Sequence, residues 1–304
     1  MSAVADAVPT HRRDPTGTAT IRDRYARRLR GGFADINTLI REGVRERDVF
    51  GLQVDTLQKD LPPLARFDRD ARKRDLFDEW LQERVDEDVL TIIERDGNRF
   101  IDAAYRRGLE DADHFVQAID IDTETGDVAA SLDVPVHERA VEDLYARNYR
   151  ALEDITETTG RQVGEELAEG LAAGENPTTV ARRLTDRVDS IGKTRATVLA
   201  RTEIINAHSE AALTRYEQLG VGGVTVQAEW LTAGDRRVCP ICQNLEGNTW
   251  TIEEVRQETM TLTEDDVADA VPDGRSASSF TGKFPVKPPA HPQCRCTLFP
   301  DVIS

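Results

Sequence analysis

Apolar residues return every three to four positions along most of this chain, and that spacing predicts amphipathic helices. The first stripe is Ile21, Tyr25, Leu29, Phe33, Ile36, Ile40 and Val44, with Gly31 and Gly32 expected to loosen its middle. A second runs through Phe77, Leu81, Val85, Val89 and Ile92, with Trp80 alongside. Gly97-Asn98 then supplies a stop signal, and a short helix over 100–109 follows. Pro135 opens a long segment with Val141, Leu144, Tyr145, Leu152, Ile155, Val163, Leu167 and Leu171 inward, and Gly174 suits its C-terminal end. Asn176-Pro177 offers a cap and a first-turn proline for the helix carrying Val180, Leu184 and Val188. A last long helix is predicted over 193–219. It buries Val198, Ile205, Ala212, Tyr216 and Leu219, with Arg201, His208 and Arg215 at the edge and Glu203, Asn206 and Glu210 facing away.

Other stretches lack this period. Residues 224–230 alternate well enough for a strand, and 118–134 fit either a hairpin around Thr125-Gly126-Asp127 or an exposed loop. Residues 260–282 are acidic, then rich in Ser, Thr and Gly, as in an extended surface insertion. The expected fold is mainly α: a disordered tail over 1–19, a helical N-terminal domain over 20–134, and a domain over 135–304 ending in a small α+β subdomain.

Composition narrows the setting. There are 56 acidic against 39 basic residues, a net charge of -17, and the basic side holds 34 Arg but 5 Lys. A carboxylate-rich, lysine-poor surface suits concentrated salt, where self-repulsion is screened within a few ångströms. A halophilic, archaeal setting is the expectation, with an ordinary acidic protein as the alternative. Such a chain is a poor general nucleic-acid binder, since phosphate contacts weaken as salt rises. The polar first 20 residues lack a signal-peptide core, and no apolar run approaches a membrane span, so the chain reads as soluble and intracellular at synthesis. One basic patch, from Arg12 to Arg30, offers a surface for packaged double-stranded DNA or an acidic partner, against the simpler reading of a solvated helix face. Gly192-Lys193-Thr194 resembles the end of a phosphate-binding loop, but position 187, where that loop needs glycine, is Arg.

The concentrated chemistry is near the C-terminus: Cys239-Pro240-Ile241-Cys242, then His291-Pro292-Gln293-Cys294-Arg295-Cys296. A C-P-x-C turn converges two thiolates on one point, as tetrahedral zinc requires. Cys294 and Cys296 share a face if that stretch is extended, and His291 can reach inward. Five donors compete for four positions, and zinc held by four cysteines, or by three plus His291, is the preferred reading. Two disulfides are the alternative, and a redox pair fits poorly because no βαβ context surrounds the C-x-x-C. Four protein ligands leave no position for water, so such a zinc is structural. Arg201 is expected to pair with a carboxylate such as Asp235, orienting its helix against the metal loop with Glu203 in a structural role. His208 reads as a satisfied edge residue.

Together these residues resemble the Mu F-like phage head-morphogenesis family of minor head proteins. The resemblance runs over about 170–299. It rests on Ala200-Arg201-Thr202-Glu203 with Asn206, on Tyr216 and Gly220, and on Trp230, Asp235, the C-x-x-C and Gly247. It ends on Pro288-Pro289-x-His291-Pro292-x-Cys294-Arg295-Cys296. The acidic 260–282 stretch and the N-terminal half depart from it. The resemblance implies a low-copy, non-enzymatic protein of the virion head, located near the portal vertex. Its partners would be the portal and major capsid proteins during assembly and DNA packaging. The contrasting expectation is a zinc-dependent nuclease or hydrolase using His291 with Glu203 or Asp235, which needs an open coordination position and a general base.

Overall fold

A computed structural model describes residues 14–48, 63–85, 90–118, 135–173, 175–220 and 225–303. The hairpin-or-loop stretch 119–134, Gly174, Val89 and the arginines at 12 and 13 lie outside them. The chain is mainly helical, with a small sheet region near its C-terminal end, in agreement with the expected class. The long helices are α1 (Ala19–Ile40), α2 (Pro63–Arg84), α3 (Thr91–Ala118), α4 (Pro135–Ala172) and α5 (Pro177–Gly220). The remaining elements are β1 (Thr225–Leu231), α6 (Pro240–Leu245), β2 (Thr249–Thr251), α7 (Ile252–Gln257), β3 (Thr259–Leu262), α8 (Glu264–Val267), β4 (Gly282–Pro285) and β5 (Thr297–Ile303). They form two compact units, one from Met1–Arg24, Arg99–Ala146 and Val198–Ser304, the other from Tyr25–Asn98 and Arg147–Thr197.

The second unit's elements among the described residues are all helical. Its core takes Tyr25, Leu29, Phe33, Ile36 and Ile40 from α1, Phe77 and Leu81 from α2, Leu152, Val163 and Leu167 from α4, and Val180, Leu184 and Val188 from α5. These are the predicted stripes, with the helices running through their predicted interruptions. Gly31 and Gly32 leave α1 unbroken, and α3 continues through Gly97-Asn98. Gly97 serves close packing: a Cβ there would stand 2.9 Å from both the Asn148 amide and the Tyr25 hydroxyl, which hydrogen-bond each other at 2.7 Å. The Asn176 side chain accepts the Thr179 N–H at 3.0 Å, the predicted cap. The helices expected at 176 and 193 are one, α5, 44 residues long.

The first unit packs parts of α3 and α5 on a three-stranded antiparallel sheet of order β2-β1-β5. Val226, Ala228 and Trp230 of β1 point into its core while Gln227 and Glu229 stay half-exposed, the period of a sheet with one buried face. Phe115 of α3 meets Phe299 of β5 with ring centroids 4.9 Å apart. A Cβ on Gly108 would lie 2.3 Å from the His208 carbonyl oxygen, so these two helix backbones approach as closely as a glycine allows. From 199 to 216, α5 is buried nearly all round, and this corrects the two-sided reading: Glu203 and Asn206 are inside, not facing away. His208, expected as a satisfied edge residue, is buried: its Nε2 pairs with Asp111 at 2.9 Å, which Arg107 also holds, and its Nδ1 has no hydrogen-bond partner among the described residues.

Two further expectations change. Residues 14–18, expected in the disordered tail, are folded: Asp14 accepts the Ala19 N–H at 2.7 Å and pairs with Arg22 at 2.8 Å, and Thr16 and Thr18 are buried. Residues 260–282 are folded, not extended. They carry β3, α8 and two short 3₁₀ turns, β3 pairs with β4, and Leu262 and Val267 join the core.

Candidate metal centre

The first arm of the site follows β1. Thr232 donates its N–H to the Glu246 carboxylate at 2.9 Å, and Gly234 turns the chain in the left-handed region at φ +60°. The Asp235 side chain accepts the Arg237 N–H at 2.9 Å and its carbonyl accepts that of Val238 at 3.1 Å, which winds the loop into Cys239. Cys239 stands at the N-cap of α6 in extended conformation and Pro240 starts its first turn, so the turn expected of C-P-x-C is the opening of a short helix. One turn then brings Cys242 onto the same side as Cys239. Ile241, Leu245 and Trp230 anchor this arm in the core.

The second arm is the segment before β5. The Cys294 N–H donates to the His291 carbonyl at 3.2 Å, closing a turn with Gln293 at φ 68°. His291 Nδ1 donates to the Pro292 carbonyl at 2.8 Å, which places a proton on that nitrogen and makes Nε2, once it gives up its own proton, the atom that can bind a cation. Nε2 stands 3.0 Å from Cys239 Sγ and 3.1 Å from Cys242 Sγ, and Cys242 Sγ lies 3.8 Å from Cys294 Sγ. Two groups of donors, Cys239–Cys242–His291 and Cys242–Cys294–Cys296, each converge within 4.8 Å, and Cys242 joins them.

All five predicted donors thus meet in one place. Donors ~2.0–2.3 Å from one tetrahedral ion stand roughly 3.5–3.8 Å apart. The sulfur pair matches, and the nitrogen–sulfur distances are slightly contracted. A disulfide requires ~2.05 Å, and all four cysteines are free thiols here. The donor chemistry, thiols with one imidazole, fits a borderline-soft dication such as zinc.

Protons are shared unequally among the donors. Hydrogen bonding from Cys242 draws the Cys239 thiol down to about 4, with His291 adding to the effect. Cys242 likewise holds Cys294 well below the usual thiol range. Cys242 is pushed up by donating to Cys239, and at Cys296 the pull of Cys242 is outweighed by Cys294 and burial. Burial works against a charged His291, but Cys239 beside it raises the imidazole to about 9. Two acidic thiols and a basic imidazole therefore face each other in a mostly buried spot, an arrangement a dication can take over by displacing protons.

The arms are tied by an ion pair that differs from the one expected from the sequence. Asp235 is held by Arg295, through two hydrogen bonds of 2.6 and 2.8 Å, and by Arg237 at 3.1 Å. Arg201 donates instead to Gln293 at 3.1 Å. Hydrogen bonds from Arg295 hold the Asp235 carboxyl well below the ordinary carboxylate range. The signal was present, since Arg295 sits between two of the converging cysteines, but the same charge on Arg201 hid it. Glu203 is buried on α5 and Asp235 is occupied by two guanidinium groups; neither belongs to the donor groups found among the described residues.

No curated protein and no solved structure matches the chain. The stretch 161–299, which contains both arms and every donor, matches the family described as Phage Mu protein F like protein.

Proposed function

We propose that this chain is a minor head protein of a tailed virus, acting in head morphogenesis, with a structural zinc site that staples its C-terminal subdomain. The carrying observation is that the family match over 161–299 encloses all five donors of a compact thiol–imidazole cluster. The match supports a phage head role. Association with the portal and the major capsid protein, a place in the virion head near the portal vertex, and a part in DNA packaging are this proposal's finer terms. So is a halophilic host, supported by 34 Arg against 5 Lys in a chain of net charge -17. Among the described residues no helix is long and apolar enough to cross a membrane.

The site's role in this reading is to hold, not to react. Cys239, Cys242, His291, Cys294 and Cys296 supply more donors than a four-coordinate ion takes, so protein groups fill every position. The chain's contribution would be to present thiolates and the His291 Nε2 in a mostly buried spot. Purified reduced protein should carry one tightly held zinc per chain, show no nuclease turnover, and enter particles when co-expressed with portal and major capsid proteins. Metal-free protein with an unchanged fold, or metal-dependent cleavage of DNA, would contradict it.

A further inference from the structure

Five donors converge on a space for one ion. The four cysteines and His291 all line a single small cavity of about 20 Å³, room for one sphere the size of a water molecule. A four-coordinate ion there leaves one donor off the metal. The thiols also differ in exposure. Cys242, Cys294 and Cys296 are 2%, 1% and 2% exposed, whereas Cys239, at the N-cap of α6, is only half-buried. Cys239 is therefore the sulfur that a dissolved reagent meets first.

Cys242 is the branch point among the thiols. It lies in the first turn of α6 with its sulfur within 4.8 Å of the Cys239 sulfur, and it stands 3.8 Å from Cys294 Sγ on the other arm. A bond to Cys239 closes only the C-x-x-C turn inside one arm. A bond to Cys294 joins the two arms that the ion itself joins.

We propose that Cys239, Cys242 and Cys294 make this site an oxidation switch, in which a peroxide exchanges the cation for a Cys242–Cys294 disulfide between the arms. This step rests on the zinc site of the head protein proposed above, and it belongs to the passage from the reducing interior of a cell to oxidising surroundings. The Cys239 thiolate attacks one peroxide oxygen, the O–O bond breaks, hydroxide leaves, and Cys239 becomes a sulfenic acid. The Cys242 thiolate then attacks the Cys239 sulfur and expels a second hydroxide, forming a Cys239–Cys242 disulfide. The Cys294 thiolate, 3.8 Å from Cys242 Sγ, attacks Cys242 and releases Cys239 as thiolate. In sum, two thiolates lose two electrons and one peroxide gains them, giving one disulfide and two hydroxides. Two of the five donors are consumed, three remain, and the four-coordinate zinc leaves. The arms then stay joined by a covalent bond in place of an exchangeable ion, which locks the subdomain once a particle has left its host.

The test treats the full zinc-loaded chain with a small molar excess of hydrogen peroxide. Released zinc is followed with a chromogenic indicator, and disulfides are mapped by tandem mass spectrometry of peptides cut without reduction. One zinc should leave per disulfide formed, Cys242 should be joined to Cys294, and a dithiol reductant with added zinc should restore the starting state. Cys294→Ser should stop at the Cys239–Cys242 disulfide. Cys239→Ser should slow oxidation by about tenfold or more, because the remaining thiols are buried. Either variant also removes a donor, so the disulfide map of the parent chain is the deciding reading. Zinc retained after peroxide, a map showing only Cys239–Cys242, or oxidation past the disulfide to sulfinic acid overturns the switch and leaves the zinc site standing. A reduced chain that holds no zinc before peroxide is added overturns the zinc site, and the switch with it, at that earlier step.

Discussion

Asp235 and Arg295 are 60 positions apart, yet their double hydrogen bond joins the two arms that carry the donors. Replacing Asp235 by Asn keeps the shape and removes the charge, so thermal stability should fall, and zinc should leave faster in a chelator competition. The pH sign follows from a folded-state carboxyl held below its unfolded value of about 3.9. Its contribution is complete above that value and is lost as pH falls toward the lower folded one. Acid titration of the melting temperature should therefore be shallower in Asp235→Asn than in the parent chain. Among the donors, Cys242→Ser should cost the most metal affinity, because Cys242 alone belongs to both converging groups. If the proposed zinc site is right, substituting each of the five donors in turn should identify the spare one: the variant that keeps stoichiometric zinc marks it. All five donors were legible because thiol and imidazole spacing is local chemistry. The owner of Asp235 was not, since Arg201 and Arg295 carry the same charge and the loop path alone decides between them.

The helices were legible from their apolar stripes, and the errors fall where glycine or a polar residue was given its commonest meaning. Gly97 signals a helix end in isolation, but inside α3 it makes room for Asn148 and Tyr25. Glu203 and Asn206 mark a solvent face on an isolated helix, and α5 is instead enclosed through that stretch. Periodicity reports one buried face and says nothing about how many neighbours a helix has. The α3–α5 crossing gives the sharpest element-level expectation. Gly108→Ala puts a methyl 2.3 Å from the His208 carbonyl, and overpacking of a tight core costs about 1–3 kcal/mol. Denaturant unfolding should show that loss, whereas the same change at Gly160, which has open space around it, should leave stability near the parent value. Removing the cap with Asn176→Ala should cost about 1 kcal/mol by the same measurement.

At the scale of the whole molecule, a net charge of -17 makes stability a function of salt. The screening length shrinks from about 10 Å at 0.1 M to about 3 Å at 1 M. The melting temperature should climb over that range of KCl, and a flat or falling curve argues against the halophilic reading. The two metal arms also have a topological effect. Cys242 and His291 bracket 48 residues, so a shared ion would close that stretch into a ring whose ends cannot drift apart. A protease that nicks the exposed run at 272–275 would then cut the ring without releasing either piece. The fragments should travel together through gel filtration, and withdrawing the cation should loosen their association, which then rests on the β1–β5 pairing and the core alone.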